Sequence, residues 1–272
     1  MNYEKMIEEF KYYLLEEERS ENTIDSYVIA VKLYFDINDN LSKENMIKFK
    51  SWLMQKYAAT TVHLRLCAMN AFCDFVDEPK CKVKNIKIQK QSSVENAITL
   101  DEYNQLLNWL VDNGNIRGYY MIRFLAQTGA RVSEFIRLPR KALDDGYAEL
   151  WTKGKVRRIY IPQSLIEESR DFFKDSSQSE LLFVNRHGKN LTARGVAQLI
   201  INWGTKAGIR REVLHPHSFR HLYAIQFLKH NKDISLLADL MGHSSIETTS
   251  IYTKLSREEQ LRQFNIASKW GD

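Results

Sequence analysis

Between His215 and Tyr252 the chain reads HPHSFRHLYAIQFLKHNKDISLLADLMGHSSIETTSIY. The segment gathers His217, Arg220, His221, His243 and Tyr252, joined by an apolar pattern that reads as helix. Strongly basic groups, imidazoles and a phenol in one helical unit point to chemistry on a phosphate. A phosphodiester carries a negative charge that must be screened before an oxygen nucleophile can attack it. Two arginines, Arg131 and Arg220, can each fork onto non-bridging oxygens and stabilise the pentavalent transition state. His217 and His243 can add hydrogen bonds or handle a proton, and Tyr252 can attack phosphorus to form a covalent phosphotyrosine. Lys153 can protonate the departing 5′-oxygen. No cofactor is required, because the arginines do the electrostatic work that a metal would do.

Two other readings compete. His215, His217 and His221 form H-x-H-x3-H, which invites a zinc site, but Arg220 would repel a divalent cation there and HExxH is absent. Satisfied core histidines are the plainer alternative, and they leave the clustering with Arg220, His243 and Tyr252 unexplained. For Arg131, just past a buried helix, the plainer alternative is an ion pair with Glu134.

The elements around these residues are legible in outline. Thr99-Leu-Asp-Glu102 reads as a capping box opening a helix with Tyr103, Leu106, Leu107 and Leu110 on one face. A largely apolar helix from about Ile116 to Gln127 ends at Thr128-Gly129. The stretch from Tyr147 to Pro162 reads as a β-hairpin with Lys153 and Lys155 at its tip and Arg157 and Arg158 beyond. Thr192 can cap a helix running to Trp203, Leu240-Met-Gly-His243 closes another, and Ser244-Ser-Ile-Glu247 reads as a second capping box.

The first third has no strand pattern. Apolar residues at helical spacing predict a helix over Tyr3–Leu14, a second from Ser20, a third from about Ser42 to Tyr57 and a fourth from near Thr60. Lys80, Lys82, Lys84, Lys87 and Lys90 follow with no acidic residue until Glu95. This run reads as an extended basic linker that can lie along a phosphate backbone. The expected domains are 1–80, a linker 81–97, and 98–272 with a tail from 253.

A chain of 272 residues with 44% hydrophobic and 27% charged residues is globular, and a net charge of +5 permits a polyanionic partner. Three cysteines without a CxxC pair read as free thiols in a reducing cytoplasm, and no apolar run approaches a membrane span. The start, MNYEKMIEEF, is acidic and amphipathic and unlike a signal peptide.

TGARVSE, the TKGKVRR hairpin, PHSFRH, LMGHSSIETTSIY and the final tyrosine occur in the order found in tyrosine recombinases of the phage integrase family, which the chain resembles over nearly its whole length. SENTIDSY and the segment around Thr60-Thr61 resemble that family's helical, SAM-like core-binding domain. The resemblance implies a mainly α fold with a small antiparallel β-sheet, built as a C-shaped clamp around double-stranded DNA. It implies Arg131, Lys153, His217, Arg220, His243 and nucleophile Tyr252 as catalytic residues, with Glu134 as accessory acid. It implies a 3′-phosphotyrosine intermediate religated by a free 5′-hydroxyl, without ATP or metal. Phe219 stands where leucine is commoner, and hairpin spacing keeps Lys155 in contention with Lys153 as the acid. Lys82, Lys84, Lys87, Lys90 and Arg157 are the expected DNA contacts. The tail, with Leu255, Leu261, Phe264 and Ile266, is expected to dock on a neighbouring protomer in a tetramer on two DNA sites. The layout is the short, Xer-like one, with no room for an extra arm-binding domain. A type IB topoisomerase and a DNA-binding protein without catalysis are the alternatives.

Overall fold

The computed structural model describes residues 3–88, 97–152, 155–174, 179–185, 187–243 and 245–252. Its internal contacts divide the chain into two units, Met1–Lys90 and Gln91–Asp272.

Among the described residues, the regular elements of the first unit are all helices: α1 (Tyr3–Glu16), α2 (Glu21–Phe35), α3 (Lys43–Lys56) and α4 (Ala59–Phe75), followed by a 3₁₀ turn at Pro79–Cys81. Ser20 and Ser42 start α2 and α3 as the sequence predicts. Each hydroxyl accepts a backbone N–H three residues on, from Thr23 and Asn45, which satisfies an otherwise orphaned donor. The core is aromatic: Phe10 meets Phe72 edge-on at 5.1 Å between ring centres, and Tyr34 meets Phe49 the same way at 5.1 Å. Edge-to-face pairs add about 0.5–1.5 kcal/mol beyond burial.

Residues 82–88 lie as an extended segment against this unit. Val83 is buried, and the Asn70 amide both donates to its carbonyl and accepts from its N–H at 3.0 Å. Asn85 donates to the His63 carbonyl at 3.2 Å. The side chains of Lys84 and Lys87 face solvent, while Lys82 pairs with Asp74. Lys90 lies outside the described residues.

The second unit comprises α5 (Leu100–Asp112), α6 (Ile116–Thr128), α7 (Val132–Phe135), α8 (Ala142–Asp145), β1 (Tyr147–Thr152), β2 (Lys155–Tyr160), α9 (Gln163–Lys174), α10 (Ala193–Lys206), α11 (Pro216–His230), α12 (Ile234–Met241) and α13 (Ile246–Thr249). Thr99 and Glu102 form the expected capping box at the start of α5. The strands pair antiparallel from Tyr147↔Tyr160 to Thr152↔Lys155. Hairpin residues Lys153 and Gly154 lie outside the described residues. The second expected capping box is displaced: Ser245 is the cap of α13, accepting from the Glu247 N–H at 3.2 Å, and Ser244 is outside the described residues.

Helix α6 is the spine of this unit, with Met121, Ile122, Phe124 and Leu125 fully buried. It packs against α5 and α11. Phe124, Phe135, Phe173 and Phe183 close the core around it with ring centres 5.0–5.8 Å apart. No helix among the described residues is long and apolar enough to cross a membrane.

Candidate active site

Two helix ends build the site. Helix α6 stops at Gly129, whose φ of +60° favours glycine, and a Cβ there would meet the Tyr223 ring at 2.5 Å. Arg131 therefore emerges directly from a buried helix end. Helix α12 stops at Gly242, also at φ +60°, and His243 follows at once.

Three guanidinium groups converge on the carbonyl end of α12. Arg157 donates to the Leu240 carbonyl at 2.7 Å, Arg220 to that of Met241, and Arg131 to that of Gly242 at 2.9 Å. The last carbonyls of a helix have no intrahelical partner and carry its negative dipole end, so three consecutive oxygens make a cation seat. Arg220 is 1% exposed and also donates to the Gly129 carbonyl, so it ties the two helix ends together. Its Nε has no protein acceptor. A buried donor left unmade costs about 1–3 kcal/mol.

Glu134 is 0% exposed and holds the other two arginines. Its carboxylate accepts from the Arg131 N–H at 2.7 Å, from Arg131 Nη1 at 3.0 Å, and from Arg157 Nη1. Burial raises its pKa, but the Arg131 amide and the Arg157 charge outweigh burial and hold the carboxyl below its ordinary value. It is an anion at neutral pH, so the expected Glu134–Arg131 pair forms within the arginine cluster.

The imidazoles and the phenol surround this cluster. His217 is exposed, and its ring meets His221 edge-on at 4.3 Å. The expected common face of α11 is divided, because Arg220 turns inward while His217 stays open. His215 is the N-cap of α11, its Nδ1 accepting the Ser218 N–H at 3.1 Å. His243 pairs through Nδ1 with the buried Thr249 hydroxyl at 2.7 Å. Tyr252 packs beside the small cluster of Ala224, Leu237 and Met241, and its hydroxyl is 2.6 Å from His221 Nδ1. Burial pushes the Tyr252 phenol up to about 12 against the pull of the Arg220 charge. His243 falls to about 4, first by burial and then by the charges of Arg220, Arg131 and Arg157. His221 also falls to about 4, by burial and then by the neighbouring His217. At neutral pH the site holds a protonated phenol, neutral imidazoles and a net positive guanidinium cluster. Such a site can bind a phosphodiester, but its nucleophile must lose a proton to react.

These shifts carry an acid limit. His221 and His243 take a proton near the ordinary 6.5 when unfolded but only near 4 when folded. Between those values the unfolded chain binds more protons, so stability falls as the pH drops through that window. Thermal melting from pH 7 to 4 is expected to show this decline. The His221→Gln/His243→Gln pair should flatten it, and an unchanged slope would remove these imidazoles as its cause.

Arg157, an expected DNA contact, is 7% exposed and committed to Glu134 and Leu240. The signal was present, since strand alternation puts Arg157 on the same face as the buried Ile159 and Ile161. His221 as the partner of Tyr252 was missed, although its place four residues after His217 put it on the same stretch of helix. Lys153, the Lys155 side chain and the tail 253–272 lie outside the described residues.

A family model described as the phage integrase family matches residues 96–259, and one for the phage integrase N-terminal SAM-like domain matches residues 7–78. Tyrosine recombinase XerA of Thermococcus kodakarensis is 30% identical, over 93% of this chain and 92% of its own length. XerA of Pyrococcus furiosus is 29% identical, over 93% and 90%. Among solved structures, an integrase of the transposon Tn1549 in complex with transposon right-end DNA superposes with a TM-score of 0.74 at 14% identity, covering 97% of this chain and 99% of that one. At that identity the likeness speaks for the fold.

Proposed function

Because the chain belongs to the phage integrase family, as a tyrosine recombinase, we propose that it is a site-specific recombinase of double-stranded DNA working through the residues gathered at the end of α12. The observation that carries the assignment is the convergence of Arg131 and Arg220 on that helix end, with His243 next in the chain and Tyr252 beside Arg220's neighbour His221. In this reading the arginines neutralise the non-bridging oxygens of the scissile phosphate. Tyr252 attacks phosphorus, the 5′-oxygen leaves with a proton from Lys153, and a 3′-phosphotyrosine forms. His217 and His243 hydrogen-bond the phosphate and handle the proton of the phenol. A free 5′-hydroxyl then reverses the step on a new partner, conserving the bond energy without ATP or metal.

The domains we propose are a helical DNA-binding unit over 1–80, a basic linker over 81–97 and the catalytic unit over 98–272. The solvent-facing Lys84 and Lys87 support a phosphate contact by the linker, and Lys82 and Lys90 are proposed as further contacts. The working assembly is a cytoplasmic tetramer on two DNA sites, held by exchange of the tail after Tyr252.

The test begins by selecting the bound sequence from random DNA. A nicked suicide duplex carrying that site is then incubated with the protein and run on a denaturing gel. A covalent adduct to the 3′ side, formed equally in EDTA, is expected. No adduct, attachment to the 5′ side, or loss in EDTA would overturn the reading. On a 5′-phosphorothiolate duplex, whose leaving group needs no proton, Lys153→Ala should recover and Lys155→Ala should not. The reverse result would pass the acid's role to Lys155.

A further inference from the structure

We propose that Arg157, committed through its Nη groups to Glu134 and Leu240, is a positioning residue that sets Arg131 against the scissile phosphate. Arg131 is held at two points, the Glu134 carboxylate and the Gly242 carbonyl. Arg157 holds both supports. It pairs with Oε2 of Glu134, leaving Oε1 for Arg131 Nη1, and it anchors the Leu240 carbonyl two residues before Gly242. The chain of contacts is closed, running from Arg131 through Glu134, Arg157 and the end of α12 back to Arg131.

A second observation, independent of the ion pairs, shows that the fold makes room for this side chain. A Cβ on Gly242 would lie 2.6 Å from Arg157 Cδ and 2.7 Å from its Nε. The glycine that ends α12 therefore also opens the space through which Arg157 reaches Glu134. Electrostatics set the geometry. Two guanidinium groups repel, and each lowers the cost of the other only through the buried carboxylate between them. Without Arg157, Glu134 is free to follow Arg131 and the end of α12 loses a tie. Arg131 then no longer meets the phosphate with its remaining donors already aimed.

The inference rests on the transesterification reading, and the two fail differently. Wild-type protein that forms no adduct overturns that reading, whereas an active wild type with an insensitive Arg157 variant overturns only the inference. Single-turnover cleavage of the suicide duplex at saturating protein supplies the rate, and fluorescence anisotropy supplies the DNA affinity. Arg157→Met is expected to slow cleavage roughly 10²-fold, the scale of a small misplacement of a catalytic group, with DNA affinity unchanged. In the Arg131→Ala background, followed over long time courses, the same substitution should add no further loss. An equal loss in both backgrounds, a loss confined to affinity, or no loss would each overturn the proposal. Where melting shows that Arg157→Met does not fold, Arg157→Lys carries the same cycle. It keeps the charge but cannot span both partners, so a smaller loss that disappears without Arg131 is expected.

Discussion

Tyr252→Phe is expected to abolish the covalent protein–DNA adduct while leaving the fold and DNA binding in place. The substitution removes one atom, the hydroxyl oxygen, from a ring that packs beside Ala224, Leu237 and Met241. The ring stays where it is. The lost contact is a single hydrogen bond to His221, so stability should change by about 1 kcal/mol or less. The chemical loss is of another order. Deleting the attacking atom of a covalent mechanism lowers turnover by roughly 10⁴-fold or more, because what remains is only binding and charge stabilisation. A gel that still shows adduct with Tyr252→Phe would move the nucleophile elsewhere. An adduct absent from a variant that has also lost DNA binding would leave Tyr252 a structural part.

Arg220→Ala should fail twice, in stability and in chemistry. The guanidinium is fully buried and bonds the carbonyls of Gly129 and Met241. Its removal leaves both oxygens unpaired in the interior and opens a cavity between α6 and α12. Together these are expected to cost about 2–5 kcal/mol, measured by urea unfolding. Cleavage should fall by roughly 10²–10³-fold, the range for removing one preorganised donor from a developing charge. Arg220→Lys separates the two effects, since a point charge restores attraction for phosphate but cannot span both carbonyls. Wild-type stability in Arg220→Ala would show that the two helix ends need no bridge. Wild-type cleavage would remove Arg220 from the chemistry.

Much of the fold follows from local rules. Ser20, Ser42 and Thr99 each begin a helix because a short side-chain oxygen satisfies a free N–H within one turn. Gly129 and Gly242 end theirs because each sits at positive φ. The hairpin follows from two β-prone runs, which pair antiparallel from Tyr147↔Tyr160 to Thr152↔Lys155. The cap of α13 fell one residue later than its motif suggests, because Ser244 and Ser245 offer the same chemistry and only the packing of the helix chooses between them.

The sequence alone determined which residue types were on hand for the chemistry: two arginines, a lysine, two histidines and a tyrosine in motifs whose order marks the family. It could not say where a charge would be spent. Arg157 lies one residue from Arg158, yet strand alternation and the buried Glu134 draw the first inward, while the second stays half-exposed with Glu149. His221 and His217 share one turn of α11, but only His221 meets Tyr252. Those assignments depend on contacts between residues from 21 to 111 positions apart. They come together because the carbonyl end of α12 is a negative pole inside the protein, and three guanidinium groups from distant segments satisfy it at once.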